Sequence, residues 1–321
     1  MEIKTMSDIE ILKAGAGHYT CAQYLVSISE FDRLSLFTKL EYERLESKYH
    51  DLIAILEGDA ENNWVELLYI LVMKFMSDEL NRDSFMTLAK LVPTRHILRE
   101  RENPSYAETL LFAATGLIDY HSQMGYIAAL KRNSGYLLQK YNIKPMCRED
   151  WNFKRTNADT IARKLSQVAQ LFTYKDLIFN RVTACRCKAD VDLLFGVHTS
   201  EGWGLHNNEQ QVRPSQRRIK VDAEKRNLFG INVVVPLLYA YGYATQSDAL
   251  CSCAQELNET LSVERNRYIL GWQANGVEAH SSFEAQALVQ LSKVYCGAKR
   301  CEECPVGRLA IRDMSWLEGR K

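Results

Sequence analysis

Three cysteines lie within nine residues near the end of the chain, in the run Tyr295-Cys296-Gly-Ala-Lys-Arg-Cys301-Glu-Glu-Cys304-Pro305. The C-x-x-C pair of Cys301 and Cys304 places two sulfurs within reach of one metal ion, and Cys296 can fold back onto the same ion. A proline directly after the last cysteine is also common among iron–sulfur ligands. The spacing therefore predicts one metal centre, a zinc ion or an iron–sulfur cluster, held by Cys296, Cys301 and Cys304.

A tetrahedral site needs a fourth ligand, and the sequence leaves its identity open. Cys251 and Cys253 point to different sides of a predicted helix, so at most one of them can be a ligand. Cys21 and Cys147 stand alone in the sequence, and we interpret both as small apolar core residues. The candidates for the fourth ligand are Cys251, Cys253, Cys185, Cys187 and His280. The alternative to a metal centre is a set of thiols that bind no metal.

The chain has 321 residues, of which 46% are hydrophobic, and equal numbers of acidic and basic residues. This length and hydrophobic content correspond to one large domain or two small domains with a sizeable core. The charged N-terminal residues do not resemble a signal peptide, and no apolar run approaches the roughly 18 residues of a membrane span. We therefore expect a cytoplasmic protein with no membrane partner. Its thiols should stay reduced, which favours metal binding over disulfides.

Apolar residues recur with a period near 3.6 over most of the chain, most clearly at residues 31–57 and 61–76, and this period predicts helices. The stretch from 196 to 227 has no clear period, so we interpret it as an ordered loop or a functional insertion. The sequence thus predicts an all-α protein, a multi-helix array or bundle with an irregular central loop and a C-terminal cysteine cluster. We expect an N-terminal helical subdomain at 1–145 and a C-terminal one at 146–321, with one continuous domain as the alternative.

Within the central loop, Trp203 and His206 lie three residues apart among glycines. His206 is the candidate acid–base residue of an enzyme, but a single loop histidine has no sequence partner that would activate it. We therefore favour a structural interpretation, in which a buried Trp203 indole anchors the loop. The enzyme alternative places an active site at residues 196–227 that acts on an anionic or phosphate-containing substrate.

A basic run in the same stretch includes Arg213, Arg217, Arg218 and Lys220. Clustered arginine and lysine side chains bind the phosphate backbone of nucleic acids, or another anion. The zero net charge of the chain favours the alternative, in which these residues form a solvated and flexible face.

Pro236 interrupts an apolar helical run four residues after Asn232. A proline inside a helix lacks the N–H donor and should kink the helix, so the Asn232 carbonyl loses its helical partner. We interpret both residues as structural. We also expect the Asn232 side chain to hydrogen-bond to the loop at 196–227, because a buried amide needs partners.

Several segments together resemble a bacterial family of uncharacterised proteins, the domain-of-unknown-function 2851 family. The resemblance rests on Asn232-x-x-x-Pro236-Leu-Leu-Tyr-Ala-Tyr-Gly242, Trp272, Phe283-Glu-Ala-Gln-Ala, Tyr295-Cys296, Cys301-x-x-Cys304-Pro, Trp203-x-x-His206 and Asn63-Trp64-Val-Glu. It spans most of the chain and is strongest over the C-terminal third. Members of this family look longer at the N-terminus, in a region similar to restriction-endonuclease-like folds. The resemblance therefore implies that this chain corresponds to the helical, non-catalytic part, and it carries over no established activity.

These observations predict a non-catalytic, nucleic-acid-associated binding or scaffold module. The sequence contains none of the motifs that mark serine hydrolases, P-loop nucleotidases, HExxH zinc enzymes or dinucleotide-binding folds. Two alternatives remain: the enzyme with its site at 196–227, and a helical scaffold whose partner is another protein.

Overall fold

The computed structural model describes residues 19–120, 125–174, 178–204 and 219–313. Within these ranges the regular structure is helical, apart from one isolated antiparallel bridge between His198 and Lys220. The predicted all-α class is therefore confirmed. Contacts divide the chain into unit 1, residues 1–50 with 239–321, and unit 2, residues 51–238. The subdomain boundary predicted at residue 145 lies inside unit 2.

The α-helices of the described ranges follow one another with short connections and occasional 3-10 turns. In chain order they are α1 (Ala22–Ser27), α2 (Glu30–Glu57), α3 (Trp64–Met76), α4 (Arg82–Leu91), α5 (Thr94–Arg99), α6 (Pro104–Ala114), α7 (Gly125–Lys140), α8 (Ala158–Tyr174), α9 (Ile178–Thr183), α10 (Lys188–Phe195), α11 (Glu201–Gly204), α12 (Ala223–Phe229), α13 (Val235–Ala244), α14 (Asp248–Thr260), α15 (Arg267–Ala274), α16 (Ser282–Gln290) and α17 (Pro305–Arg312). The segments Gly230–Val234 and Leu291–Cys296 are π-helical. The boundaries between the two units fall inside α2 and α13.

Side-chain caps decide where several helices begin. The Asn63 side-chain oxygen accepts hydrogen bonds from two backbone N–H groups of the first turn of α3, at 2.9 and 3.3 Å. Glu61 and Asn62 have φ angles of 51° and 60°, which belong to the left-handed region and break the helical path. The helix predicted from Glu61 therefore starts at Trp64, immediately after its cap.

The core of unit 2 is built around α3, in which every residue from 67 to 73 is 2% exposed or less. A helix that is apolar all round is stable only when other elements cover all of its faces. Helices α4, α5, α8, α9 and α12 contact it. Helix α6 is buried in the same way between α7 and α8, although it carries the acidic residue Glu108.

The core of unit 1 is centred on Trp272 of α15, which is fully buried. Its indole N–H donates to the Ser292 hydroxyl at 2.8 Å, and the Tyr19 ring packs edge-on against it at 5.0 Å between centroids. A Cβ at Gly271 would lie 1.9 Å from the Tyr19 hydroxyl oxygen, so this contact needs glycine. The segment that precedes α1, including Cys21, is thus fixed against α15.

The segment around Pro236 forms one long helical run, Ala223–Ala244, in which α12 and α13 flank the π-helical residues Gly230–Val234. The disturbance predicted from proline takes the form of a π-bulge just before α13, where the Val235 N–H bonds to the Gly230 carbonyl five residues back. The run is long and apolar enough to span a membrane, yet 72% of its apolar 18-residue segment is buried inside the protein. A core helix shows this pattern of burial.

The stretch at 196–227, predicted to be irregular, contains regular elements at both ends. The chain near residue 198 pairs with residues 219–221 through two backbone hydrogen bonds of 2.9 Å, from Thr199 to Ile219 and from Val221 to Val197. Helix α12 starts inside the stretch because the Asp222 side chain caps it. The high charge of residues 220–226 hides this helix from a search for apolar periodicity.

Candidate functional site

The cysteines predicted as metal ligands lie in unit 1, between α16 and α17. Cys296 is the last residue of the π-helical segment, Cys301 lies in the turn that follows, and Cys304 directly precedes α17. Pro305 is the first residue of α17, a position at which proline loses no helical hydrogen bond. The π-bulge and the helix start therefore hold the three cysteines of the motif in one short connection.

The backbone around Cys304 provides donors for a sulfur ligand. Burial raises the pKa of the Cys304 thiol, whereas the backbone N–H groups of Gly307 and Val306, in the first turn of α17, lower it. A Cβ at position 307 would lie 2.3 Å from the Cys301 carbonyl oxygen, so the C-x-x-C turn needs glycine there. Donors outside the ligand shell of this kind orient metal-binding sulfurs and stabilise their charge.

A fourth thiol, that of Cys21, belongs to the same hydrophobic cluster. Cys21 is 9% exposed and Cys304 is 4% exposed, while Cys296 and Cys301 pack partly buried against the cluster. Burial raises the pKa of Cys21 to about 12, and the neighbouring Cys304 and Cys301 add to this increase. Burial also raises the pKa of Cys296, with further contributions from Cys304, Cys21 and Cys301. Every pair among the four thiols therefore interacts electrostatically.

The nine cysteines, all of which lie in the described ranges, form no disulfide bonds. Across the four described ranges, no three His, Cys, Asp or Glu side chains stand in an arrangement that could hold a metal ion. Protonated thiols behave as small apolar groups, and these four pack as such in the cluster. Metal binding would require their deprotonation and sulfur–metal distances near 2.3 Å.

The fourth-ligand candidates predicted from the sequence occupy other places. On α14, Cys253 is buried, and the Cys251 sulfur faces a backbone carbonyl oxygen 3.8 Å away. Cys185 and Cys187 precede α10 in unit 2, and His280 is exposed before α16. Sequence reasoning missed Cys21 because a lone cysteine has no spacing that marks it as a ligand.

A second candidate site is a cavity of about 590 Å³ in unit 2, beside the segment that leads into α11. Behind its wall lies Glu108 of α6, which is 1% exposed. The Glu108 carboxylate accepts hydrogen bonds from the Tyr126 hydroxyl at 2.8 Å and from the Trp203 indole N–H. Burial raises the pKa of Glu108, although hydrogen bonds with Ser200, Trp203, Tyr126 and Ser166 oppose the increase. The result is a buried acidic group whose partners Tyr126 and Ser200 line the cavity.

The sequence did contain a signal for this second site. Glu108 is the single acidic residue of α6, whose neighbouring positions are buried and, apart from Thr109, apolar. A carboxylate in such a position requires hydrogen-bond partners, and Trp203 is one of them. The contact between the two residues ties α11 to α6.

The predicted residues of the central stretch are only partly described. His206, Arg213, Arg217 and Arg218 lie outside the described residues. Lys220 is exposed, and its ammonium nitrogen would lie 3.3 Å from a Cβ placed on Gly196, which lines the cavity. The described end of the basic run therefore lies beside Gly196, one of the residues that line the cavity.

The Asn232 side chain forms a hydrogen bond within its own helical run. It is half-buried, and its Nδ2 donates to the Leu228 carbonyl at 3.2 Å, one turn earlier in the same helical run. A helical asparagine reaches this carbonyl without leaving its own helix. Among the described residues the Asn232 side chain therefore forms a local hydrogen bond, and residues 205–218 of the loop to which it was predicted to bond lie outside them.

The sequence profile of a family described as "Protein of unknown function (DUF2851)" matches residues 1–267. No curated protein and no solved structure matches the chain. The matched range includes Cys21, the residues around the cavity, and the segment from Asn232 to Pro236. It ends before Cys296, so the C-terminal part of the resemblance found by inspection lies beyond the matched residues.

Proposed function

We propose that this chain, which belongs to the DUF2851 family of proteins of unknown function, is a non-catalytic helical binding module whose C-terminal cysteines hold one metal centre. The observation that supports the metal centre is the local structure of the C-x-x-C turn. The first-turn backbone N–H groups of α17 lower the pKa of its second thiol, and a glycine lies directly against the carbonyl of its first cysteine. Three thiols of one short connection share a single hydrophobic cluster.

The role of this metal centre is structural. The connection between the π-helical segment and α17 includes Lys299, whose φ of 53° belongs to the left-handed region, and an ion pair between Arg300 and Glu303. Both groups of the ion pair are solvent-exposed, so the pair contributes little to stability. A zinc ion or iron–sulfur cluster bound by Cys296, Cys301 and Cys304 would fix the connection and contribute directly to the folding free energy.

Metal analysis of protein purified without oxygen tests this proposal. We expect about one metal centre per chain, with zinc leaving the protein colourless and an iron–sulfur cluster making it brown. The double variant Cys301→Ser/Cys304→Ser should lose the metal, and the control Cys147→Ser/Cys187→Ser should keep it. Wild-type protein that is folded, stable and free of metal would refute the proposal.

The binding partner that we propose is a nucleic acid, contacted through Arg213, Arg217, Arg218 and Lys220. Support comes from Lys220, which is exposed and whose backbone is held by the bridge to His198. An ordered cation at the end of a basic run provides a fixed contact for a phosphate group.

A second candidate function is the binding of, or catalysis on, a small anionic or phosphate-containing ligand in the cavity of unit 2. The observation that favours it is the cavity lining, which includes the hydroxyls of Tyr126 and Ser200 and the imidazole of His198, since such groups can donate hydrogen bonds to phosphate oxygens. A volume near 590 Å³ suits a ligand of nucleotide size.

Equilibrium dialysis against pyrophosphate and against a nucleoside triphosphate tests the second function. Lys220→Ala, at the lysine beside the lining residue Gly196, should weaken the binding of both ligands, whereas Lys144→Ala, at another exposed lysine of unit 2, should leave it unchanged. Equal affinities in the two variants would exclude an anion site that includes Lys220.

A further inference from the structure

We propose that Cys21 is the fourth ligand of the metal centre, so that Cys21, Cys296, Cys301 and Cys304 form one four-thiolate site. This inference rests on the proposed function, because it completes the ligand set of the same centre. It assigns to the metal a second task, which is to tie the start of α1 to the C-terminal connection of unit 1.

The position of Cys21 is fixed by its neighbours in the fold. Tyr19, two residues earlier, packs edge-on against Trp272 and lies so close to Gly271 that no Cβ fits there. One turn later, the Leu25 N–H donates to the Cys21 carbonyl at 3.0 Å and holds the first turn of α1. Contacts on both sides of Cys21 therefore hold its backbone in place before any metal binds.

The four thiols converge from separate parts of the sequence on one cluster. Cys21 and Cys304 are buried in it, and Cys296 and Cys301 pack against it. One core cysteine needs no second thiol beside it, so burial alone does not explain why four are gathered here.

The ligand chemistry fits a thiophilic metal. Zinc takes four cysteine sulfurs in structural sites, and iron–sulfur clusters are held by four cysteine thiolates. The order C-x4-C-x2-C with one remote cysteine is a known cluster-binding order, although the remote residue here lies upstream of the other three. On binding, each thiol releases its proton to solvent and its sulfur forms a bond to the metal.

Competition for Zn²⁺ against a chromophoric chelator tests this ligand. The metal-free Cys21→Ser variant should bind Zn²⁺ more weakly than metal-free wild type. Loss of a contact outside the ligand shell lowers metal affinity roughly 10–100-fold, and loss of a ligand should lower it further. Cys253→Ser, which introduces the same hydroxyl at a buried cysteine of unit 1, should retain wild-type affinity. Wild-type affinity in Cys21→Ser, with loss of binding in Cys301→Ser/Cys304→Ser, overturns the fourth ligand and leaves the proposed function intact. Absence of binding by wild type itself overturns both.

A measurement on wild-type protein covers the case in which Cys21→Ser does not fold. The protein is treated with iodoacetamide as isolated and after metal removal by a chelator, and alkylated cysteines are identified by mass spectrometry. Cys21, Cys296, Cys301 and Cys304 should gain reactivity together when the metal is removed, while Cys253 should not. An unchanged Cys21 beside three newly reactive cysteines, or a disulfide that includes Cys21, would contradict the proposal.

Discussion

Replacement of Glu41 by glutamine should remove a pH dependence of stability that the wild type shows near neutrality. Glu41 lies on α2 and is fully buried beside Arg44, whose guanidinium donates to it at 3.0 Å, and Asn258, whose amide donates at 2.8 Å. The second carboxylate oxygen of Glu41 and the side-chain oxygen of Asn258 are buried without a hydrogen-bond partner within the described ranges. Two buried oxygens that lack a donor favour the protonated form of Glu41, because the proton of a carboxylic acid can be donated to the Asn258 oxygen.

The magnitude follows from the pKa of Glu41, which burial raises from 4.5 to about 7 while Arg44 and Asn258 oppose the increase. The folded state therefore binds a proton more tightly than the unfolded chain does. The contribution of protonated Glu41 to the unfolding free energy is complete below pH 4.5 and is lost as the pH rises to about 7. At 1.36 kcal/mol per pKa unit, this difference corresponds to about 3 kcal/mol.

Urea unfolding of wild type and Glu41→Gln at pH 5 and pH 8 measures this contribution. From pH 5 to pH 8 the unfolding free energy of the wild type should fall by about 3 kcal/mol more than that of the variant, because glutamine does not titrate. The control Glu46→Gln, at an exposed position of the same helix, should behave as wild type. Parallel pH profiles for wild type and Glu41→Gln would show that Glu41 is ionised throughout and that the reasoning is wrong.

Three further predictions concern unit 2. Trp203→Phe removes the indole donor to the buried Glu108 carboxylate and should cost about 1–3 kcal/mol in urea unfolding; an unchanged midpoint would show that this contact is not maintained in solution. Asn232→Leu should cost less than about 1 kcal/mol in a thermal melt, because its hydrogen bond is local and the residue is half-buried; a larger loss would restore the predicted bond to the loop. Replacement of the three arginines of the basic run by alanine should flatten the salt dependence of nucleic-acid binding in mobility-shift titrations, and binding that is absent at low salt would remove nucleic acid as a partner.

The helical class was predictable because the packing of amphipathic helices leaves a 3.6-residue period in the sequence, as in α2. The start of α3 was misplaced by three residues because the left-handed turn at Glu61 and Asn62 leaves no apolar signal. The π-bulge before Pro236 was visible only as a disturbance, since sequence shows that proline lacks a donor but does not show how the helix accommodates the loss.

Among the candidate site residues, too, those marked by local sequence spacing were predictable, and those brought together by packing were not. Cys296, Cys301 and Cys304 were identified because their ligand spacing is local in sequence. Cys21 joins them only through the packing of the α1 segment against α15, a contact between residues about 250 positions apart. Glu108 likewise gains its partners from α7 and from the residues around α11, so only its apolar surroundings on α6 could have drawn attention to it.

X-ray absorption at the metal edge of the protein purified without oxygen tests the central claim most directly. The proposed centre predicts a zinc or iron edge whose first shell contains about four sulfur atoms near 2.3 Å. A first shell of nitrogen and oxygen atoms, or protein that shows no metal edge, would contradict the claim.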